Sequence, residues 1–149
     1  MKRFVLALTV LLLLCVAGCG SGNSAPQNVG LFGNWNITMY PTNDPNPAYV
    51  FALAMSQLGS STYSGASITY TGSVPQPSNM CINASALHAT ATTDSDNNFN
   101  MTVTDSTTNT VISVRGSLTS QSTTLTGTYT NPPSQACVQS SGSMSMIPQ

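Results

Sequence analysis

From Asn34 to Tyr40 apolar and polar side chains alternate strictly, which puts Trp35, Ile37 and Met39 on one face. The same period of two recurs along the chain. Tyr49–Leu58 places Tyr49, Phe51, Leu53 and Met55 on one side and mostly small residues on the other. Thr62–Thr71 carries Tyr63, Ile68 and Tyr70, with a slip in the alternation near Gly65 that reads as a bulge. Ile82–Thr92 is an Ala-rich segment. Phe99, Met101 and Val103 alternate with Asn100, Thr102 and Thr104; Ile112, Val114 and Leu118 face one way, with Ser113, Arg115 and Ser117 opposite. Leu125, Gly127 and Tyr129 alternate with a row of Thr, and Val138, Met144 and Met146 share a parity with Ser140 and Gly142. A period of two is the signature of half-buried antiparallel strands.

Turn-forming clusters such as Pro41-Thr42-Asn43-Asp44-Pro45-Asn46-Pro47 separate these segments. The pattern therefore predicts an all-β domain of eight short antiparallel strands. An up-and-down barrel is favoured over the alternative, a two-sheet β-sandwich. A barrel abolishes sheet edges, and this chain has few charged side chains with which to guard an edge. A weak echo between Arg115-Gly116-Ser117-Leu118-Thr119 and Leu125-Thr126-Gly127-Thr128-Tyr129 suggests two strand segments, each with a Gly easing a bend.

The first residues follow another logic. Lys2 and Arg3 precede an almost unbroken apolar run, Phe4 to Leu14, and then the small-residue stretch Val16-Ala17-Gly18-Cys19. Cations, an apolar region and small residues in that order are a secretory signal. The apolar run is short for a membrane span, which needs about 20 residues. Val16-Ala17-Gly18-Cys19 resembles the lipobox of bacterial lipoproteins. The resemblance implies cleavage after Gly18, a diacylglycerol on the Cys19 sulfur and acylation, typically by palmitate, of the new amine. Cys15 does not fit, because Leu14 is too bulky for the cleavage site. Gly20 rather than Asp after Cys19 favours the outer membrane in the Gram-negative sorting pattern that this resembles. The bland alternatives are an ordinary cleaved signal and a transmembrane anchor. The expected organisation is a signal peptide over 1–18, lipidated Cys19 with a Gly/Ser/Asn-rich tether over 19–30, and the β domain over 31–149.

Gly33-Asn34-Trp35, opening the first strand, resembles the Gly-x-Trp motif of lipocalins, eight-stranded barrels that bind small ligands. In that family the Trp closes one end of the barrel and an Arg packs over it. Trp35 is this chain's one Trp, and Arg115 is the only candidate for the Arg, although it falls on the sixth segment rather than the last. The resemblance makes Trp35, Arg115, Met39, Phe51 and Met101 candidates for lining a site for a small hydrophobic molecule. Met in particular adapts its shape to apolar ligands. The plainer reading of the same residues is a filled core.

Only 5% of the 149 residues are charged, against roughly 25% in an ordinary soluble domain. From Cys19 onward one cation, Arg115, stands against Asp44, Asp94, Asp96 and Asp105, a formal charge of −3. With no basic patch, nucleic acid is not an expected partner. Cys81 and Cys137 are the only cysteines past the lipobox, and in an exported chain an isolated pair forms a disulfide.

Candidate chemistry is sparse. His88 is the one His, and no Gly-x-Ser-x-Gly elbow accompanies it. Asp94-Ser95-Asp96-Asn97-Asn98 imitates the start of a calcium loop, but Phe99 stands where Gly is required, so an Asx-rich hairpin turn is expected. No metal or cofactor is expected, and a hydrolase is the least favoured class. The favoured function is a lipid-anchored, non-catalytic envelope protein whose partners are the membrane and another envelope protein. The alternative is a lipocalin-like carrier. A hollow interior of about 300 Å³ or more, open at one end, would mark the carrier.

Overall fold

The computed structural model describes residues 30–118, 124–133, 137 and 140–149. Cys19, the rest of the lipobox and the tether up to Val29 lie outside the described residues, as do Thr119 and Val138.

Each alternating segment forms a strand: β1 Gly33–Pro41, β2 Tyr49–Gln57, β3 Thr62–Ile68, β4 Leu87–Thr93, β5 Asn98–Asp105, β6 Val111–Ser117, β7 Leu125–Asn131 and β8 Ser140–Pro148. Each pairs antiparallel with its neighbours in sequence, and β8 returns to β1 through a ladder running from Trp35↔Pro148 to Pro41↔Gly142. That last ladder closes the sheet on itself. The fold is a closed eight-stranded up-and-down barrel, and the sandwich alternative is excluded.

The register carries one face of every strand inward. Trp35, Ile37 and Met39 lie opposite Leu53, Phe51 and Tyr49 on β2, and Ile37 and Met39 opposite Met146 and Met144 on β8. Ala91, Met101, Val114 and Tyr129 continue the inner face across β4 to β7. These residues form one buried hydrophobic cluster. The outer face is polar: Thr90, Thr102, Ser113, Thr130 and Ser141 pair in a row across five strands. An apolar interior with a hydroxyl-rich exterior is the reverse of what a bilayer-spanning barrel requires.

Several boundaries and features differ from the sequence expectation: the third strand ends at Ile68 rather than Thr71, leaving Tyr70 in the β3–β4 connection, and the second ends at Gln57 rather than Leu58. The fourth strand begins at Leu87, not Ile82. Asn83 stops the strand from starting earlier, because its side-chain oxygen accepts from Ser85 N–H at 3.1 Å and its carbonyl accepts from Ala86 N–H at 2.9 Å, forming a turn. Gly65 does not mark a bulge, since the β2–β3 register runs unbroken through Met55↔Gly65. A side chain there would collide with Met55, so the alternation slips to leave room for that thioether. Leu118 lies just past β6, half-buried, where its N–H bonds to Asn97 O and carries the β5–β6 pairing one step beyond Asn98↔Ser117.

Gly116 and Gly127 pair directly across β6 and β7. A Cβ on Gly116 would sit 2.6 Å from the Phe99 ring. The missing side chain of Gly116 makes space that Phe99 fills, and that of Gly127 lets the β7 backbone close on β6 at Arg115 and Gly116.

Candidate functional site

The interior is the place to look first, because the sequence marks Trp35, Met39, Phe51 and Met101 as lining it. The structure brings all four into one cluster with Ile37, Leu53, Met144 and Met146. Met39 and Phe51 are 0% exposed, and Trp35 retains 4%. Side chains this free of accessible surface border no void that would admit water, so the barrel is packed through its middle.

Both ends are stoppered. At the end where the chain enters, Gly33 has φ +116°, a conformation that a side chain rarely tolerates. The chain bends just before it, at Leu31, which is fully buried in the core cluster. Trp35 Nε1–H donates to Leu31 O at 2.9 Å. The glycine and the tryptophan of the Gly-x-Trp motif thus act together: one supplies the positive-φ step into β1, the other holds the plug.

At the opposite end Ile82 and the Cys81–Cys137 disulfide lie over the barrel mouth. The disulfide ties the β3–β4 connection to the β7–β8 connection across a sequence separation of 56, with Cα atoms 5.3 Å apart. Beneath it Tyr49 and Tyr129 meet edge to face, ring centres 5.8 Å apart. Asn131 Nδ2 donates to Tyr49 OH at 2.6 Å, and Asn131 Oδ1 is buried without a hydrogen-bond partner among the described residues.

Asp105 is the residue here that sequence reasoning missed. It ends β5 with its carboxylate inward and 1% exposed. Oδ2 accepts from Asn83 N–H at 2.6 Å and from Thr108 Oγ1 at 2.8 Å; Oδ1 accepts from Thr107 N–H at 2.8 Å and Thr107 Oγ1 at 2.6 Å. Burial alone pushes this carboxyl up, but the hydrogen bonds from Thr107, Asn83 and Thr108 outweigh it and bring the pKa down from 3.8 to about 2. The carboxylate fastens the β3–β4 connection to the β5–β6 turn. Its signal was present in the parity, because Phe99, Met101, Val103 and Asp105 occupy one face.

The remaining candidates are dispersed. Arg115 is corrected by the structure: it is exposed on the outer face of β6, between Asn100 and Thr128, and neither lines the interior nor covers Trp35. The strand's parity sends Val114 inward and Arg115 outward, so a buried cation is avoided. His88 is exposed on the outer face of β4, between Ala66 and Thr104, with no carboxylate in either paired position. Asp94 forms the expected Asx turn: Oδ1 accepts from Asp96 N–H and Asn98 N–H, both at 2.9 Å. Its carboxyl is held below the usual value by the backbone and side-chain hydrogen bonds of Asn98 and the backbone of Asp96. Among the described residues no cluster of three His, Cys, Asp or Glu could hold a metal ion.

Comparison with solved structures agrees with this geometry. The chain is similar in fold to a redesigned β-barrel. The match has a TM-score of 0.54 and 12% sequence identity, and covers 80% of this chain and 91% of that one. At that identity the likeness is one of fold. No family model matches the chain, and no curated protein sequence is similar to it.

The outer surface of the barrel carries grooves. One groove, of about 480 Å³, is lined by Phe51, Ala52, Ile68, Tyr70, Gln76 and Ala84. It occurs where β3 stops pairing with β2, beyond Ala52↔Ile68. There the β3–β4 connection supplies partners instead: Val50 N–H bonds to Met80 Sδ, and Gln76 Nε2 donates to Val50 O. A second groove, of about 530 Å³, lies at the chain-entry end among Phe32, Tyr63, Asp94 and Leu118.

Proposed function

We propose that this protein is a lipid-anchored, non-catalytic domain of the bacterial cell envelope that acts through contacts of its outer surface. The lipobox Val16-Ala17-Gly18-Cys19 supports the anchor, with Cys19 as the acylated residue and the outer membrane as its place. One observation carries the choice of surface over interior. The side chains that would line a ligand cavity, Met39, Phe51 and Met101 among them, fill it instead. A carrier needs an internal space of about 300 Å³ or more, and both ends of this barrel are closed by Leu31 and Ile82. The polar outer wall suits a protein that stays hydrated with few charges.

The carrier reading keeps one observation in its favour, the groove beside Phe51 in the barrel wall. The two readings part in a simple experiment. The full chain is exported, purified in mild detergent and examined by native mass spectrometry. A mass equal to the acylated chain from Cys19 supports the contact reading. A stoichiometric additional lipid or small apolar molecule, lost on Ile68→Asp in the wall groove, would favour the carrier.

A further inference from the structure

The described part of the chain begins at Gly30, at the barrel end formed by the start of β1, the β2–β3 turn, the β4–β5 turn and the end of β6. Among the described residues the four exposed large hydrophobic side chains are Phe32, Leu58, Val111 and Ile147. The two most exposed, Phe32 at 61% and Leu58 at 71%, both lie at this end. Phe32 precedes β1 and Leu58 follows β2, so both lie just beyond the Gly33↔Met55 pair that ends this ladder. Tyr63 lies between them, bordering a groove with each, and Leu118 joins Phe32 in one of these. Elsewhere the outer face is mostly Ser, Thr and Asn, with Val111 and Ile147 as scattered exceptions. An apolar rim on an otherwise hydroxyl-covered surface marks a contact.

We propose that this rim rests in the headgroup region of the same bilayer that holds the acyl chains, with Phe32 and Leu58 inserted and the disulfide-capped end directed away. The inference rests on the acylation of Cys19. Position identifies the occupant: residues 20–29 are all that separates that cysteine from Gly30, and ten residues span no more than about 36 Å even when extended. The apolar rim is therefore the described surface tied closest to the lipid. Once the anchor is inserted, a shallow apolar contact acts at high effective concentration and need not be strong alone. Asp94 and Asp96 sit in the β4–β5 turn at the same end. Arg115, two residues from the end of β6, is the single cation of the described residues and faces outward, one charge against two carboxylates, so the contact is apolar rather than electrostatic, and the barrel tilts to put the Phe32–Leu58 side down.

The test uses the full acylated chain with Leu58→Cys, and separately Phe32→Cys, each labelled with an environment-sensitive fluorophore, in vesicles of phosphatidylethanolamine and phosphatidylglycerol. Val111→Cys at the opposite end is the control. All three positions are exposed, so the fold is not at stake. The expected result is an emission rise of about twofold or more at positions 32 and 58 on adding vesicles, with quenching by nitroxide lipids, and neither at 111. Protein that sediments with vesicles while all three labels report water overturns the docking and leaves the anchor standing. Protein that does not sediment with vesicles overturns both. Shielding that appears without vesicles and grows with protein concentration would assign the rim to a second copy of the chain, and so overturns the proposal.

Discussion

Trp35 holds Leu31 in the mouth of the barrel: its indole N–H donates to the Leu31 carbonyl at 2.9 Å, and the leucine side chain is fully buried. A short motif at the start of β1 thereby converts an open cylinder into a stoppered one. Trp35→Phe keeps an aromatic ring but removes the donor, and a lost neutral hydrogen bond costs about 1 kcal/mol. Leu31→Ala removes the plug itself and should cost about 2–4 kcal/mol. Urea denaturation of the two variants checks the order, with Leu31→Ala the less stable.

Gly33 should resist substitution for a different reason. A Cβ there would meet nothing within 4 Å, yet φ is +116°. The penalty for Gly33→Ala is thus conformational, on the order of 1–3 kcal/mol. Gly116→Ala should be comparably harmful through clashes with the Thr126 carbonyl and the Phe99 ring, of which only the second can be relieved by a smaller side chain at 99, because overpacking costs about 1–3 kcal/mol. Combining Gly116→Ala with Phe99→Leu should recover part of that loss, while Gly33→Ala with Phe99→Leu should recover none. A double-mutant cycle reads the difference.

The capped end predicts an acid-sensitive step. The folded-state pKa of Asp105 is depressed from 3.8 to about 2, so its contribution is fully present above pH ~4 and is lost as the pH falls toward 2. A shift of that size corresponds to about 2 kcal/mol. Stability of the native protein should fall across this window. Asp105→Asn should be less stable at neutral pH, with a flatter dependence between pH 4 and 2. Thermal unfolding followed by circular dichroism at stepped pH measures both.

The Cys81–Cys137 disulfide closes a long loop between the two connections over that end. The chain-entropy model gives about 4 kcal/mol for a loop of this length. Cys81→Ser with Cys137→Ser should lower the denaturant midpoint accordingly while keeping the β spectrum, because the ladders do not depend on the bridge. Alkylation of the native protein under non-reducing conditions should modify neither cysteine.

The barrel was legible in the sequence because its strands are half-buried, so the period of two survives in almost every one. β5 shows this well, with Phe99, Met101 and Val103 inward and Asn100, Thr102 and Thr104 outward. The pattern failed where a second requirement overrode it. Gly65 broke the alternation to accommodate Met55, a contact between strands that no local pattern records. Ile82 looked like the start of a strand because it is apolar and buried, but it is buried as a cap. The candidate interior residues were found for the same reason as the strands, since parity identifies which side chains point inward. Whether an interior is hollow depends on how eight inner faces mesh, and that is set by register. Arg115 went astray because the family resemblance asked for a cation that the strand's own parity places outside.

The packed interior is the claim on which the surface-contact account depends, and xenon-pressurised crystals of the protein test it directly. Xenon enters apolar voids and leaves a filled core empty of density. The account predicts no xenon among Ile37, Met39, Phe51, Met101 and Met144, and a site appearing on Phe51→Ala. An ordered xenon atom between these side chains in the unmutated protein would contradict it.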